Sequence, residues 1–345
     1  MRYEYNGKRF YPIVEMYHDV IPHIAGITDK EFYTEPEKCV TAWKKAIPAI
    51  DAFFGDFPIA HNPAAPSLSY GHLVSLGAPL SMPEEGEPNV RPFAASLEEG
   101  IEILKAKKGC DFFANPTAQY YIAMNKLLQE RFPEYKISPV AGYGYEGIIT
   151  TAVLMRGQDF LCDLYDDPDL VHEFLELLNE SIIDFVKAQR RMNGQSEVTS
   201  VFTGCCDDFA SLIPPYMWEE FVVPYWKAYY DALSDGGTRF MHCENVYPEQ
   251  LRYLRAASIN RYQPSVAERL TIENVRENTD VQFDWLLYTF RIVDMTDEEI
   301  EAWVDETVRA DIWKVRTQFG KYAWSTGKMD KLLTFVRAFD KYRVE

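Results

Sequence analysis

The chain has 345 residues, 47% of them hydrophobic and 26% charged, with a formal net charge of −18 at pH 7. That length suffices for one α/β barrel of about 250 residues with insertions, or for two smaller domains. The negative charge argues against nucleic acid or an anionic membrane as partner, and leaves room for docking onto a basic protein surface. No apolar run reaches the roughly 18–20 residues that span a bilayer. The first residues, Met1-Arg2-Tyr3-Glu4-Tyr5-Asn6-Gly7, lack the apolar core of a signal peptide. Six scattered cysteines (Cys39, Cys110, Cys162, Cys205, Cys206 and Cys243) do not frame a disulfide scaffold, so a reduced, cytoplasmic protein is expected.

In chain order, residues 35–50 read as a helix and 52–59 as a strand. A Pro/Gly-rich stretch over 77–92 reads as a long surface loop inserted within a domain, of the kind that carries function. Residues 96–107 are helical, and 137–145 form a strand running into the turn Gly142-Tyr143-Gly144-Tyr145-Glu146-Gly147. Asp166-Asp167-Pro168 starts the clearest helix, on which Val171, Phe174, Leu175, Leu178, Ile182 and Phe185 recur at helical spacing. A β-branched strand at 198–202 leads into Gly204-Cys205-Cys206-Asp207-Asp208. A helix over 215–233, a strand over 238–243, and helices over 248–256, 296–319 and 329–342 follow. No linker divides the chain, so one domain over 1–345 is expected. Strand–helix alternation with polar residues at strand ends predicts a parallel sheet, best closed as a TIM (β/α)8 barrel, with its site at the carboxyl edge.

The strand ending Phe240-Met241-His242-Cys243-Glu244-Asn245 carries three metal-capable side chains. Alternation places His242 and Glu244 on one face, Cys243 on the other. An imidazole two residues from a carboxylate is half of a zinc site; the same run also fits a packed histidine beside an inert thiol. Gly142-x-Gly144-x-x-Gly147 matches the dinucleotide fingerprint, but without the acidic partner about 20 residues on it serves better as a tight turn at the mouth. The adjacent acids Asp207 and Asp208 cannot span the distance that glycoside hydrolysis needs, although Asp207 with Glu244 could.

Tyr165-Asp166-Asp167-Pro168-Asp169-Leu170-Val171 resembles the uroporphyrinogen decarboxylase superfamily. So do Gly142…Gly147…Met155-Arg156-Gly157, and Asp207-Asp208-Phe209-Ala210-Ser211 through Pro215, Glu220-Phe221 and Pro224-Tyr225. The resemblance runs from about residue 12 to residue 327. The porphyrinogen decarboxylases of that superfamily carry an N-terminal arginine-rich segment for the substrate's propionates. Here Pro12-Ile13-Val14-Glu15-Met16-Tyr17-His18-Asp19-Val20 offers acids instead. The chain is more similar to the cobalamin-dependent methyltransferase branch, which the resemblance associates with zinc held by His-x-Cys and a distant Cys. His242 matches the family histidine, Glu244 stands at the first thiolate position, and no cysteine lies near Tyr322-Ala323-Trp324-Ser325-Thr326-Gly327.

The resemblance therefore implies a harder zinc site, with His242 and Glu244 as ligands and Cys206 and Glu220 as candidate completing ligands. Cys206–Glu220–His242 approximates a pattern that it suggests for ether-cleaving relatives. Asp207 would complete the shell or orient His242, and Asp56 matches a strand-end aspartate of the family. Tyr143, Tyr145, Trp218 and Trp226 would wall a donor pocket, or pack the core. The implied activity is methyl transfer from a small donor, such as an aromatic methyl ether, to the cobalt of a corrinoid on a separate carrier protein, with zinc acting as Lewis acid. A metal-independent lyase of the decarboxylase type and a non-catalytic binding relative stand as alternatives.

Overall fold

The computed structural model describes residues 1–344. Strand β1 (Arg2–Tyr5) pairs antiparallel with β2 (Lys8–Met16). The turn between them is Asn6-Gly7, both at positive φ (50° and 75°), the dipeptide that a tight hairpin favours. Two two-residue strands, β3 (Leu80–Ser81) and β4 (Asn89–Val90), pair within the insertion predicted as a loop. Then come β5 (Phe202–Cys206), β6 (Thr238–His242), β7 (Arg261–Gln263), β8 (Gln282–Leu287), β9 (Lys314–Phe319) and the short β10 (Arg343–Val344). The main sheet has the order β10-β1-β2-β9-β8-β7-β6-β5, parallel from β2 to β5.

This is the wall of a (β/α)8 barrel with six laddered staves. The remaining two positions are taken by extended segments. Leu68 and Tyr143 form an isolated parallel bridge, Leu68 N donates to Gly142 O at 2.6 Å, and Gly147 N donates to Cys206 O at 2.6 Å. Main-chain bonds thus carry the wall from β5 across 142–147 to 64–70. The ladder is not closed at β2, where Pro58 and Ala60 line a groove beside Pro12–Tyr17.

Several predicted boundaries shift. The helix predicted over 35–50 is observed as Pro36–Phe54, after two short helices at Val20–Ala25 and Asp29–Thr34, and it runs on to Gly55, replacing the start of the predicted 52–59 strand. The predicted 198–202 strand moves to β5, while Thr199 makes only an isolated bridge to Ser234. The predicted 215–233 helix breaks at Val222 into Trp218–Phe221 and Val223–Leu233. Pro224 lacks an N–H and its ring would crowd the carbonyl four residues back. The predicted 296–319 helix is two elements, the helix Asp297–Arg309 and the strand β9. That stretch has a helical and then a buried strand pattern, with Asp311 at φ 58° making the corner.

The long helix Pro168–Met192 forms as its cap predicts, with the Asp167 carboxylate accepting from Leu170 N. Phe174, Leu175, Leu178 and Phe185 on its inner face are fully buried. Each such side chain contributes about 1.5–3 kcal/mol, which fixes the helix against its neighbouring helices and, through Phe185, against Tyr143 and Tyr145 of the 142–147 stave. Among the described residues no helix is long and apolar enough to cross a membrane.

Candidate active site at the barrel mouth

Alternation along β5 and β6 decides what reaches the mouth. Cys206 stands directly beside His242 in the parallel register. Past the strand ends, Asp208 and Glu244 continue the same face, so Oδ1 of Asp208 lies 3.5 Å and Oε1 of Glu244 3.7 Å from His242 Nε2. Asp208 also accepts from Glu244 N at 2.9 Å, tying the two carboxylates to one corner. Cys243 takes the opposite face, as predicted, where it is buried and donates to Asp207 O.

A second layer lies below, inside the barrel. Arg316 on β9 is paired with Asp284 on β8 at 2.9 Å and with Glu15 on β2. It also faces the side chain of Gln263, at the end of β7. Three guanidinium nitrogens confront that amide, so its oxygen must turn to them, and its nitrogen then donates to His242 Nδ1 at 2.6 Å. Burial, with Glu244 and Glu15 nearby, pushes the Tyr17 phenol up to about 12.

Glu146 closes the other side. Burial, then the charges of Asp208 and Asp207, push its carboxyl up to about 8, against a lowering contribution from Ser69. Cys206 opens to solvent, yet it packs closely enough against Glu146 and Asp208 that its thiol is raised to about 12, burial first. Next to this corner, at the ends of β2 and β9, is a cavity of about 220 Å³ lined by His18, Asp19, Asp29, Tyr33, Glu87 and Lys321 among others. Gly86 and Glu87 come from the 77–92 insertion, which is held down by Gly86 N donating to Asp29 at 2.7 Å. The predicted loop therefore forms part of the mouth.

The remaining predicted residues lie elsewhere. Asp207 is fully buried and points away from the mouth: Thr150 N, Ile149 N and Trp226 Nε1 donate to its carboxylate at 2.7, 3.2 and 2.7 Å. It caps the helix Ile148–Arg156, whose N-terminus is where a phosphate would otherwise sit. This arrangement leaves the glycine fingerprint no nucleotide role, and it removes the Asp207–Glu244 pair considered for glycoside hydrolysis. Burial raises Asp207 to about 6 against these hydrogen bonds.

Glu220 is exposed on an outer helix, 3.5 Å from His172 Nε2. Asp56 is exposed in the turn after Gly55, at the start of an extended segment rather than at a strand's carboxyl end. Tyr143 is buried and bonds to Ser75 and Asn115, and Trp218 is buried against Trp226 and donates to Ile213 O. Tyr145 bonds to Gly204 O and Tyr229. All three are wall packing.

Zinc can be tested against these groups. Of the four predicted ligands, the structure gathers His242, Glu244 and Cys206 on one rim and leaves Glu220 outside. Among the described residues, no group of three or more His, Cys, Asp or Glu side chains is arranged to hold a metal ion. A ligating histidine ordinarily donates its second ring N–H to an acceptor, whereas His242 Nδ1 receives a hydrogen bond. These residues, as wired, do not fit zinc.

Glu146, Gln263 and Arg316 were not among the residues picked out from the sequence, and Asp208 was weighed only as the neighbour of Asp207. Glu146 had a signal, as the one carboxylate of a glycine-rich strand end. Gln263 and Arg316 had none, lying on strands that periodicity did not reveal.

The chain belongs to the uroporphyrinogen decarboxylase (URO-D) family, whose model matches residues 64–285. Among solved structures it is similar to a methyltransferase from Methanosarcina mazei, with 16% identity over 96% of this chain and 94% of that chain, at a TM-score of 0.68. At that identity the likeness shows the fold. No curated protein matches the sequence.

Proposed function

We propose that this chain is a methyltransferase of the URO-D family, moving a methyl group from a small donor to the cobalt of a corrinoid held by a separate carrier protein. An aromatic methyl ether is the donor class that we favour. The observation that carries the reading is the charge of the mouth. Asp19, Asp29, Glu87, Asp208 and Glu244 gather there, while the cations nearby are already engaged, Lys321 by Glu85 and Arg316 by Glu15 and Asp284. Such a mouth repels a tetrapyrrole bearing several carboxylates, which speaks against the decarboxylase alternative. The likeness in fold to a methanogen methyltransferase supports the same choice.

Demethylating an ether breaks the O–CH3 bond. The methyl goes to cobalt(I), which is formally oxidised to methyl-cobalt(III), and the leaving oxygen needs a proton. Glu146, raised to about 8, holds a proton at neutral pH and is the group we assign to deliver it.

The test is methyl transfer from a panel of methoxy-aromatics to free cob(I)alamin, followed by the absorbance of methylcobalamin. The wild-type protein should turn over at least one donor. Glu146→Gln should lose about 10²-fold or more in rate, in keeping with removal of a general acid. Absence of transfer from every donor, together with decarboxylation of a porphyrinogen, would overturn the proposal.

A further inference from the structure

The ring of His242 is oriented by a chain of contacts that begins three strands away, at Arg316 on β9. Asp284 and Glu15 hold the Arg316 guanidinium, only 8% exposed, in one position. In that position its Nη2 and Nε lie 2.6 and 3.2 Å from the Gln263 side-chain oxygen. An arginine has five donors and no acceptor, so it can be met only by the oxygen of an amide. The opposite end of the same amide is then necessarily –NH2, and it lies 2.6 Å from His242 Nδ1. A neutral imidazole has one N–H and one lone pair. With Nδ1 serving as acceptor, the proton is on Nε2, which faces the mouth beside Asp208 and Glu244.

We infer that Arg316, acting through Gln263, fixes His242 as the Nε2–H tautomer. The histidine thus meets its ligand as a hydrogen-bond donor and not as a metal ligand. Arg316 and Gln263 are positioning residues in this scheme. His242 would bind the ether or phenol oxygen of a donor, orienting it while Glu146 supplies the proton. The tautomer itself does not depend on the methyl-transfer reading. Family membership raises the opposite expectation of a zinc-ligating histidine at this place, and a single amide stands between the two outcomes. A carboxylate in place of the Gln263 amide would satisfy Arg316 equally well and would accept from Nδ1–H. It would therefore move the ring proton to Nδ1 and turn the Nε2 lone pair to the mouth.

The experiment uses the full chain labelled with 15N-histidine. The six histidines are resolved by long-range 1H–15N correlation, and His242 is assigned by its loss in His242→Gln. The wild-type His242 should show the Nε2–H pattern at neutral pH, and titration with zinc chloride should leave that signal unchanged. Gln263→Glu should show the Nδ1–H pattern and bind zinc at least about tenfold more tightly than wild type. That gain should vanish in the Gln263→Glu/His242→Ala double variant.

A wild-type ring protonated at Nδ1 would overturn the inference, as would zinc in the wild-type protein that is lost in His242→Ala. A folded Gln263→Glu protein that keeps its proton on Nε2 would overturn it too. Because the wild-type spectrum alone distinguishes the tautomers, the inference stays testable if Gln263→Glu does not fold. Failure of methyl transfer with an Nε2–H histidine would reject the function and leave this wiring intact.

Discussion

Asp207 and Asp208 are adjacent in sequence and face opposite ways because a strand end sends successive side chains to opposite sides. Asp208 joins His242 and Glu244 at the mouth, and Asp207 caps a helix from behind. Asp207→Ala should leave three buried N–H groups without an acceptor and destabilise the protein by about 3 kcal/mol or more in urea unfolding. A loss below about 1 kcal/mol would mean that the cap is unimportant. The same alternation made His242 and Glu244 legible in the sequence as a pair with Cys243 turned away. It was not available for Asp207, because the predicted strand stops at 202 and leaves 204–208 outside it, whereas β5 runs on to Cys206. What a side chain does here depends on which face it takes, and alternation can be applied only where the strand is known to reach.

The turn 142–147 shows what an element's packing demands. Gly147 forms the N-cap of the helix Ile148–Arg156, and a Cβ there would meet the Asp207 side chain at 2.4–2.8 Å. Gly142, at φ 79°, would press a Cβ to 2.4 Å from Ala65 O. These glycines let two extended staves and a helix cap meet at one point, a use the fingerprint spacing does not distinguish from phosphate binding. Gly147→Ala should cost about 1–3 kcal/mol of stability, since the fixed carboxylate cannot retreat. A thermal midpoint equal to wild type would contradict that packing. Long amphipathic helices such as Pro168–Met192 were legible from cap and period. The three-residue β7 was not, because three residues carry no measurable alternation; β9 was swallowed by the helix before it for lack of any glycine or proline between them.

At the scale of the whole molecule, the family resemblance carried the barrel, and composition carried its acidity. Neither revealed where that acidity is concentrated. Glu146 and Asp207 have folded values near 8 and 6, above the unfolded carboxyl range of about 4. The folded chain therefore binds more protons than the unfolded chain across that window, and these two groups make stability fall as pH rises through it. The thermal midpoint should drop between about pH 4 and pH 8, and Glu146→Gln should flatten the drop, most of all between pH 6 and 8 where Asp207 no longer contributes. Identical pH profiles for the two proteins would exclude Glu146 as a strained carboxyl.

The unlaced side of the barrel beside β2 has a mechanical consequence. His242, Asp208 and Glu244 rest on staves stitched to one another, so their spacing is stiff. Between Pro12–Tyr17 and Pro58–Ala60 the wall can part without rupturing a main-chain bond, since no ladder joins them. A bulky planar ring pressing into the opening would spread the barrel there first, giving way on one flank while the His242 corner on the other stays in register.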